Sequence, residues 1–144
     1  MAETPSPPPL LVRLLARWWY VWGLNLCYRG NRTAERAYYE SGVRSFTRAL
    51  DLWPTMAHVY YRRGLICGRE LGNYAAAFAD LYRATELCPE WAEPYLQRGL
   101  FYRFQGNPTE AIANLQRFLE LSDYSDWREE AEHQIAQIRA ELGA

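Results

Sequence analysis

Two short signals return along this chain in a fixed order, and the distance between their copies limits the fold more than any other feature. The dipeptide Gly-Asn occurs at Gly30-Asn31, Gly72-Asn73 and Gly106-Asn107, and the last two copies lie 34 residues apart. A second signal falls between them: Arg48-Ala49-Leu50-Asp51-Leu52-Trp53-Pro54, Arg83-Ala84-Thr85-Glu86-Leu87-Cys88-Pro89 and Arg117-Phe118-Leu119-Glu120-Leu121-Ser122-Asp123. Thirty-four residues make a helix-turn-helix unit, which cannot bury its apolar face alone and does so by stacking on the next copy. The stretch from Gly72 to Gly106 is one full period.

The spacing is uneven at one place. Gly30 to Gly72 is 42 residues, eight more than the period, with seven of the excess before Pro54 and one between Gly64 and Gly72. Seven residues are two helical turns, so a lengthened second helix would keep its apolar face of Tyr39, Val43, Phe46 and Leu50. The single extra residue, near Gly68, requires either a longer turn or a bulge in the helix.

On these residues the chain resembles the tetratricopeptide repeat (TPR) family. The family pattern pairs an aromatic with a small residue four later, then a small residue, a large apolar one and a proline. Tyr60, Gly64, Ala77, Leu81 and Pro89 match it, as do Tyr95, Gly99, Ala111 and Leu115, with Asp123 in the proline's place. A more divergent copy has Trp19, Gly23, Gly42, Phe46 and Pro54. The resemblance implies an all-α fold, a right-handed α-α superhelix (TPR solenoid) of three helix-turn-helix repeats plus a C-terminal capping helix. The expected divisions are a disordered proline-rich tail (1–9), a divergent repeat with a lengthened second helix (10–54), repeats at 55–89 and 90–123, and the cap (124–144). Ile135, Ile138 and Leu142 form the apolar stripe expected on that last helix.

The chemistry-bearing residues are few. His58 and His133 have no histidine or cysteine at metal-ligand spacing, and no phosphate loop, nucleophile elbow or paired carboxylate motif occurs. No catalytic residue, cofactor or metal is therefore expected, and a binding module is. Cys27, Cys67 and Cys88 form no CxxC pair, and their odd number argues against a secreted disulfide framework. A start without a basic signal segment agrees with a cytoplasmic protein. All sixteen basic residues are arginine. That suits acidic or planar partners, and it is also what a G+C-rich genome produces. Residues 1–69 carry ten Arg against four acids, and residues 70–144 carry six Arg against thirteen.

In TPR proteins the first helix of each repeat lines a concave groove, so the resemblance implies a ligand groove residue by residue. It comprises Arg17, Tyr20, Leu24 and Tyr28, then His58, Tyr61, Arg62 and Leu65, then Glu93, Leu96, Gln97, Leu100 and Arg103. The chaperone-binding subclass clamps terminal carboxylates with Lys, Asn and Arg at positions occupied here by Tyr20, Leu24, Arg62, Glu93 and Gln97. That clamp is absent. The implied partner is a protein or peptide with apolar side chains and acidic groups, in preference to nucleic acid, for which no reading motif is present.

Residues 10–29 form the first helix, with Val12, Leu15, Trp19, Gly23 and Leu26 on the face that a first repeat buries. Leu14, Trp18 and Val21 fall on another side and make an extra contact face. A separate partner, a peripheral membrane surface and a second copy of the chain are its three expected occupants, in that order. A transmembrane span is disfavoured by Arg13 and Arg17.

Overall fold

The computed structural model describes residues 5–143 and contains, among them, seven α-helices and no strands. They are α1 (Leu10–Thr33), α2 (Arg36–Leu52), α3 (Ala57–Arg69), α4 (Tyr74–Leu87), α5 (Glu93–Phe104), α6 (Pro108–Leu121) and α7 (Ser125–Gly143). Residues 1–4 of the expected proline-rich tail lie outside the described residues. The chain divides between Ala77 and Phe78 into two compact units, the boundary falling inside α4.

In the first unit α1 and α2 form an antiparallel hairpin whose contact face is built from small residues. The buried positions of α1 are Ala16, Gly23, Cys27 and Gly30. A Cβ on Gly23 would stand 2.6 Å from the Phe46 ring, one on Gly42 2.6 Å from Cys27 Sγ, and one on Gly30 2.9 Å from Tyr39. Each glycine is a socket for a larger side chain on the facing helix. Of the face expected from hydrophobicity, Gly23 is buried, Trp19 packs half-buried against this core and Leu15 is exposed. Close approach selects small side chains, which a hydrophobic wheel weights least.

The Gly30-Asn31 signal does not mark a turn. Gly30 lies within α1 because it accommodates Tyr39, whose hydroxyl donates to Asn31 Oδ1 at 3.0 Å. The helix ends at Ala34, which adopts a left-handed φ of 56° and donates its N–H to Gly30 O at 2.7 Å. The seven-residue excess is therefore shared. Gly30 to Thr33 lengthen α1, and α2 has 17 residues against 14 in both α4 and α6, so it takes up the other three.

The single extra residue lies in the turn after α3. At the end of α5, Asn107 donates to Tyr102 O at 2.9 Å and Gly106 to Arg103 O at 3.0 Å, with Gly106 at φ 72°. That is the standard left-handed helix stop. After α3, Ile66 O accepts from both Glu70 and Leu71 at 3.1 Å, and Asn73 reaches Cys67 O at 2.8 Å, a loop one residue wider that ends on Gly72 at φ 67°. Asn73 and Asn107 then open the next helices by accepting from Ala76 N at 3.2 Å and Glu110 N at 3.4 Å. Such caps satisfy N–H groups that the helix leaves unpaired.

In the second unit α5 and α6 pair over Gly99, where a Cβ would meet Leu115 Cγ at 2.7 Å and Ala111 O at 3.2 Å. Helix α7 completes this core with Ala131, Ile135 and Ile138, which join Ala111, Leu115 and Phe118. Leu142, expected on the same stripe, is exposed. Arg128 of α7 donates to Leu119 O and, at 2.7 Å, to Ser122 O, so a cation closes the carbonyl end of α6. Replacing Gly99 by Leu is expected to lower unfolding free energy in urea by about 1–3 kcal/mol through overpacking. Gly143→Leu, with nothing within 4 Å of the added carbon, is expected to stay within about 0.5 kcal/mol of wild type.

Candidate functional site

The first unit brings four of the expected groove residues into one cluster. Arg17 and Tyr20 come from α1, and His58 and Arg62 from α3. Tyr20 is wedged between the core and the surface, its ring centroid 5.9 Å from Phe46 on one side and 4.9 Å from His58, edge-on, on the other. His58, Arg17 and Arg62 are exposed. Desolvation against this wall holds the imidazole below the ordinary histidine range, and the charges of Arg17 and Arg62 add to the effect. Neither arginine forms an ion pair among the described residues. The patch thus repels a further proton and is short of negative charge, which an incoming carboxylate would supply. Leu24 packs half-buried against the core, Tyr28 is exposed, Tyr61 is half-buried and Leu65 is buried.

In the second unit most of the expected positions are engaged internally. Leu96 is only 3% exposed and belongs to the core that α7 completes, and Gln97 is also buried. Leu100 packs half-buried against the same core. Arg103 donates to Gln134 and pairs with Glu141 at 3.2 Å, both on α7. Glu93, in the first turn of α5, is exposed. The period alone cannot reveal that a terminal helix packs against Leu96 and engages Arg103.

A repeated structural use of arginine was also missed. The sequence Tyr-x-x-Arg-Gly occurs as Tyr60 to Gly64 and Tyr95 to Gly99. Arg63 lies 5.7 Å from the Tyr60 ring and donates to Thr47 Oγ1 at 3.0 Å. Arg98 is more enclosed: its guanidinium lies 3.8 Å from the Tyr82 ring and 5.0 Å from Tyr95, and it donates to Thr85 Oγ1 at 3.1 Å. Tyr82 and Tyr102 share a hydrogen bond of 2.8 Å beside it. Such rings can hold a desolvated cation without a carboxylate. The recurring five-residue string was the signal that could have found it.

The outer side of α1 is open. Leu14, Trp18 and Val21 are exposed, Trp18 stacks on Trp22 at 6.0 Å, and Arg48 covers Trp19 at 4.4 Å. No group of three or more His, Cys, Asp or Glu among the described residues is arranged to hold a metal.

In an NMR titration the His58 midpoint is expected below the ordinary histidine value of 6.5, and Arg17→Gln, which removes a nearby positive charge, is expected to move it up. A histidine held neutral by the fold contributes stability above its unfolded value, and that contribution is lost as pH falls through the folded one.

Residues 57–90 and 92–124 each match the sequence profile of the tetratricopeptide repeat. Heat shock protein STI1 of Saccharomyces cerevisiae is 27% identical over 93 residues, which is 65% of this chain and 16% of STI1, so the chain spans a small part of that relative. Solved structures share the fold. The TPR domain of Arabidopsis OM64 superposes with a TM-score of 0.75 at 21% identity, covering 88% of this chain and 98% of that domain. The Yersinia enterocolitica type III secretion chaperone SycD, in complex with a peptide of the translocator YopD, superposes with a TM-score of 0.76 at 15% identity, covering 88% and 93%.

Proposed function

From the premise that this chain belongs to the tetratricopeptide repeat family, we propose that it is a non-catalytic scaffold holding an acidic protein or peptide segment against α1 and α3. The observation that carries this reading is the cluster of Arg17, Tyr20, His58 and Arg62, two arginines without ion pairs beside a histidine held neutral. Arg17 and Arg62 receive carboxylates, and the rings of Tyr20 and His58 receive the apolar side chains between them. That SycD was solved with a peptide supports a peptide ligand for this fold. STI1 is named a heat shock protein, yet Tyr20, Leu24, Glu93 and Gln97 are not the residues of a chaperone carboxylate clamp, so an acidic segment is held here by a different set. A second contact is the apolar outer face of α1.

The test is fluorescence anisotropy with a labelled peptide of leucine and glutamate ending in a free carboxylate. Changing Arg17 and Arg62 together to Glu is expected to weaken binding by at least about tenfold, roughly 1.4 kcal/mol, while helicity is retained. Replacing the glutamates of the peptide by glutamine is expected to do the same. Equal affinity of wild type and the double variant would place the ligand elsewhere.

A further inference from the structure

The outer side of α1 changes character along its length. Pairing of Gly30 with Tyr39, Cys27 with Gly42 and Gly23 with Phe46 sets the register of α1 on α2 and brings Leu52, the last residue of α2, opposite Arg17. Residues 10–15 therefore extend beyond the end of α2. Within this overhang and just after it, Leu11 is 79% exposed, Leu14 52%, Trp18 53% and Val21 60%. The helical period places them on one stripe, and Trp18 and Trp22 stack there with rings 2° from parallel.

Farther along, the stripe becomes basic. Arg29 and Arg32 lie five turns on from Leu11 and Leu14, and with Thr33 and Tyr38 they line a hollow of about 200 Å³. Helix α1 has Arg17, Arg29 and Arg32 exposed, Arg13 half-buried and no acidic residue, and none of the four forms an ion pair among the described residues. Its surface thus joins leucine, stacked tryptophan and uncompensated positive charge.

Three occupants can be compared on this chemistry. A symmetric second copy seated on this stripe would match its leucine and tryptophan but offers Arg29 and Arg32 no carboxylate from α1, which has no acidic residue. A soluble acidic protein would satisfy Arg29 and Arg32 but leave the leucine overhang unmatched unless it also offered an apolar groove. A bilayer with anionic headgroups satisfies both ends together. Leucine enters the boundary of the acyl chains, tryptophan rests at headgroup level, and arginine meets phosphate. No described helix is long and apolar enough to cross a membrane, so the helix would lie along the surface.

We infer that α1 is an interfacial helix that docks on an anionic bilayer, with residues 10–22 dipping into the headgroup and acyl boundary and Arg29 and Arg32 on lipid phosphates. This extends the second contact proposed above and leaves the peptide-binding cluster on α1 and α3 free to be assayed separately.

The experiment is flotation of the full chain with vesicles of phosphatidylcholine alone and of phosphatidylcholine mixed with phosphatidylglycerol. Wild type is expected to float with the anionic vesicles at least about tenfold more than with the neutral ones, to be released by about 0.5 M salt, and to show blue-shifted tryptophan emission when bound. Leu14→Glu with Trp18→Glu is expected to abolish flotation while peptide anisotropy and the circular dichroism melt stay unchanged. Arg29→Gln with Arg32→Gln is expected to reduce it several-fold. Should the first pair disturb folding, Leu11→Glu alone, on the overhang beyond α2, carries the same expectation. Absence of flotation with anionic vesicles would overturn the inference. Flotation that survives Leu14→Glu with Trp18→Glu would also overturn it. So would a wild-type dimer in light scattering that Leu14→Glu with Trp18→Glu converts to monomer, which would show the face covered by a second copy.

Discussion

A glycine set opposite a bulky side chain fixes the distance between paired helices in both units. Phe46 lies over Gly23, Tyr39 over Gly30 and Leu115 over Gly99, each so close that a methyl group on the glycine would overlap it. Phe46 and Leu115 are fully buried as a result. Burial of such a side chain contributes on the order of 1.5–3 kcal/mol, and the short helices need it because helices of this length are marginal alone. The same approach positions the binding cluster. With Phe46 seated in α1, Tyr20 is carried to the edge of the core and turned against His58.

Arginine divides into two populations by what surrounds it. Arg63, Arg98 and Arg128 are consumed by the fold, the first two on tyrosine rings and threonine hydroxyls and the third on helix carbonyls. Arg17, Arg29, Arg32 and Arg62 lie on the surface of the first unit, and among the described residues no acid pairs with them. A rigid fork with five donors serves both ends, since it can stack when enclosed and grip carboxylate or phosphate when open. The abundance of arginine is thus no single statement about partners; position decides it.

Repeat period and glycine punctuation make the class of fold legible in the sequence, and Gly72 and Gly106 are left-handed stops at the ends of α3 and α5. Gly30 was misleading because the same residue type serves a turn in one place and a helix contact in another, and only the position of Tyr39 distinguishes them. The buried side of α1 was rotated from the expected one for a related reason: hydrophobicity marks Leu15 and Leu26, whereas close packing uses Ala16 and Cys27. Of the groove positions, Arg17, Tyr20, His58 and Arg62 are brought together on the surface of the first unit. Gln97 is buried in the second, and Leu96 and Arg103 are occupied there by α7, whose reach depends on side-chain contacts that a repeat register does not encode.

The seam between α1 and α2 also determines how the chain meets oxidants. Cys27 Sγ fills the socket at Gly42, where even a Cβ would lie 2.6 Å away, so there is no room for an added oxygen. Burial first, and the negative charge of Glu70 second, push its thiol up to about 11 against the opposing pull of Arg62. Only the thiolate is strongly nucleophilic, and this one is scarcely formed at neutral pH. The hairpin is therefore shielded twice, by shape and by protonation, while Cys88, exposed just after α4, is left as the outlying thiol that meets peroxide first.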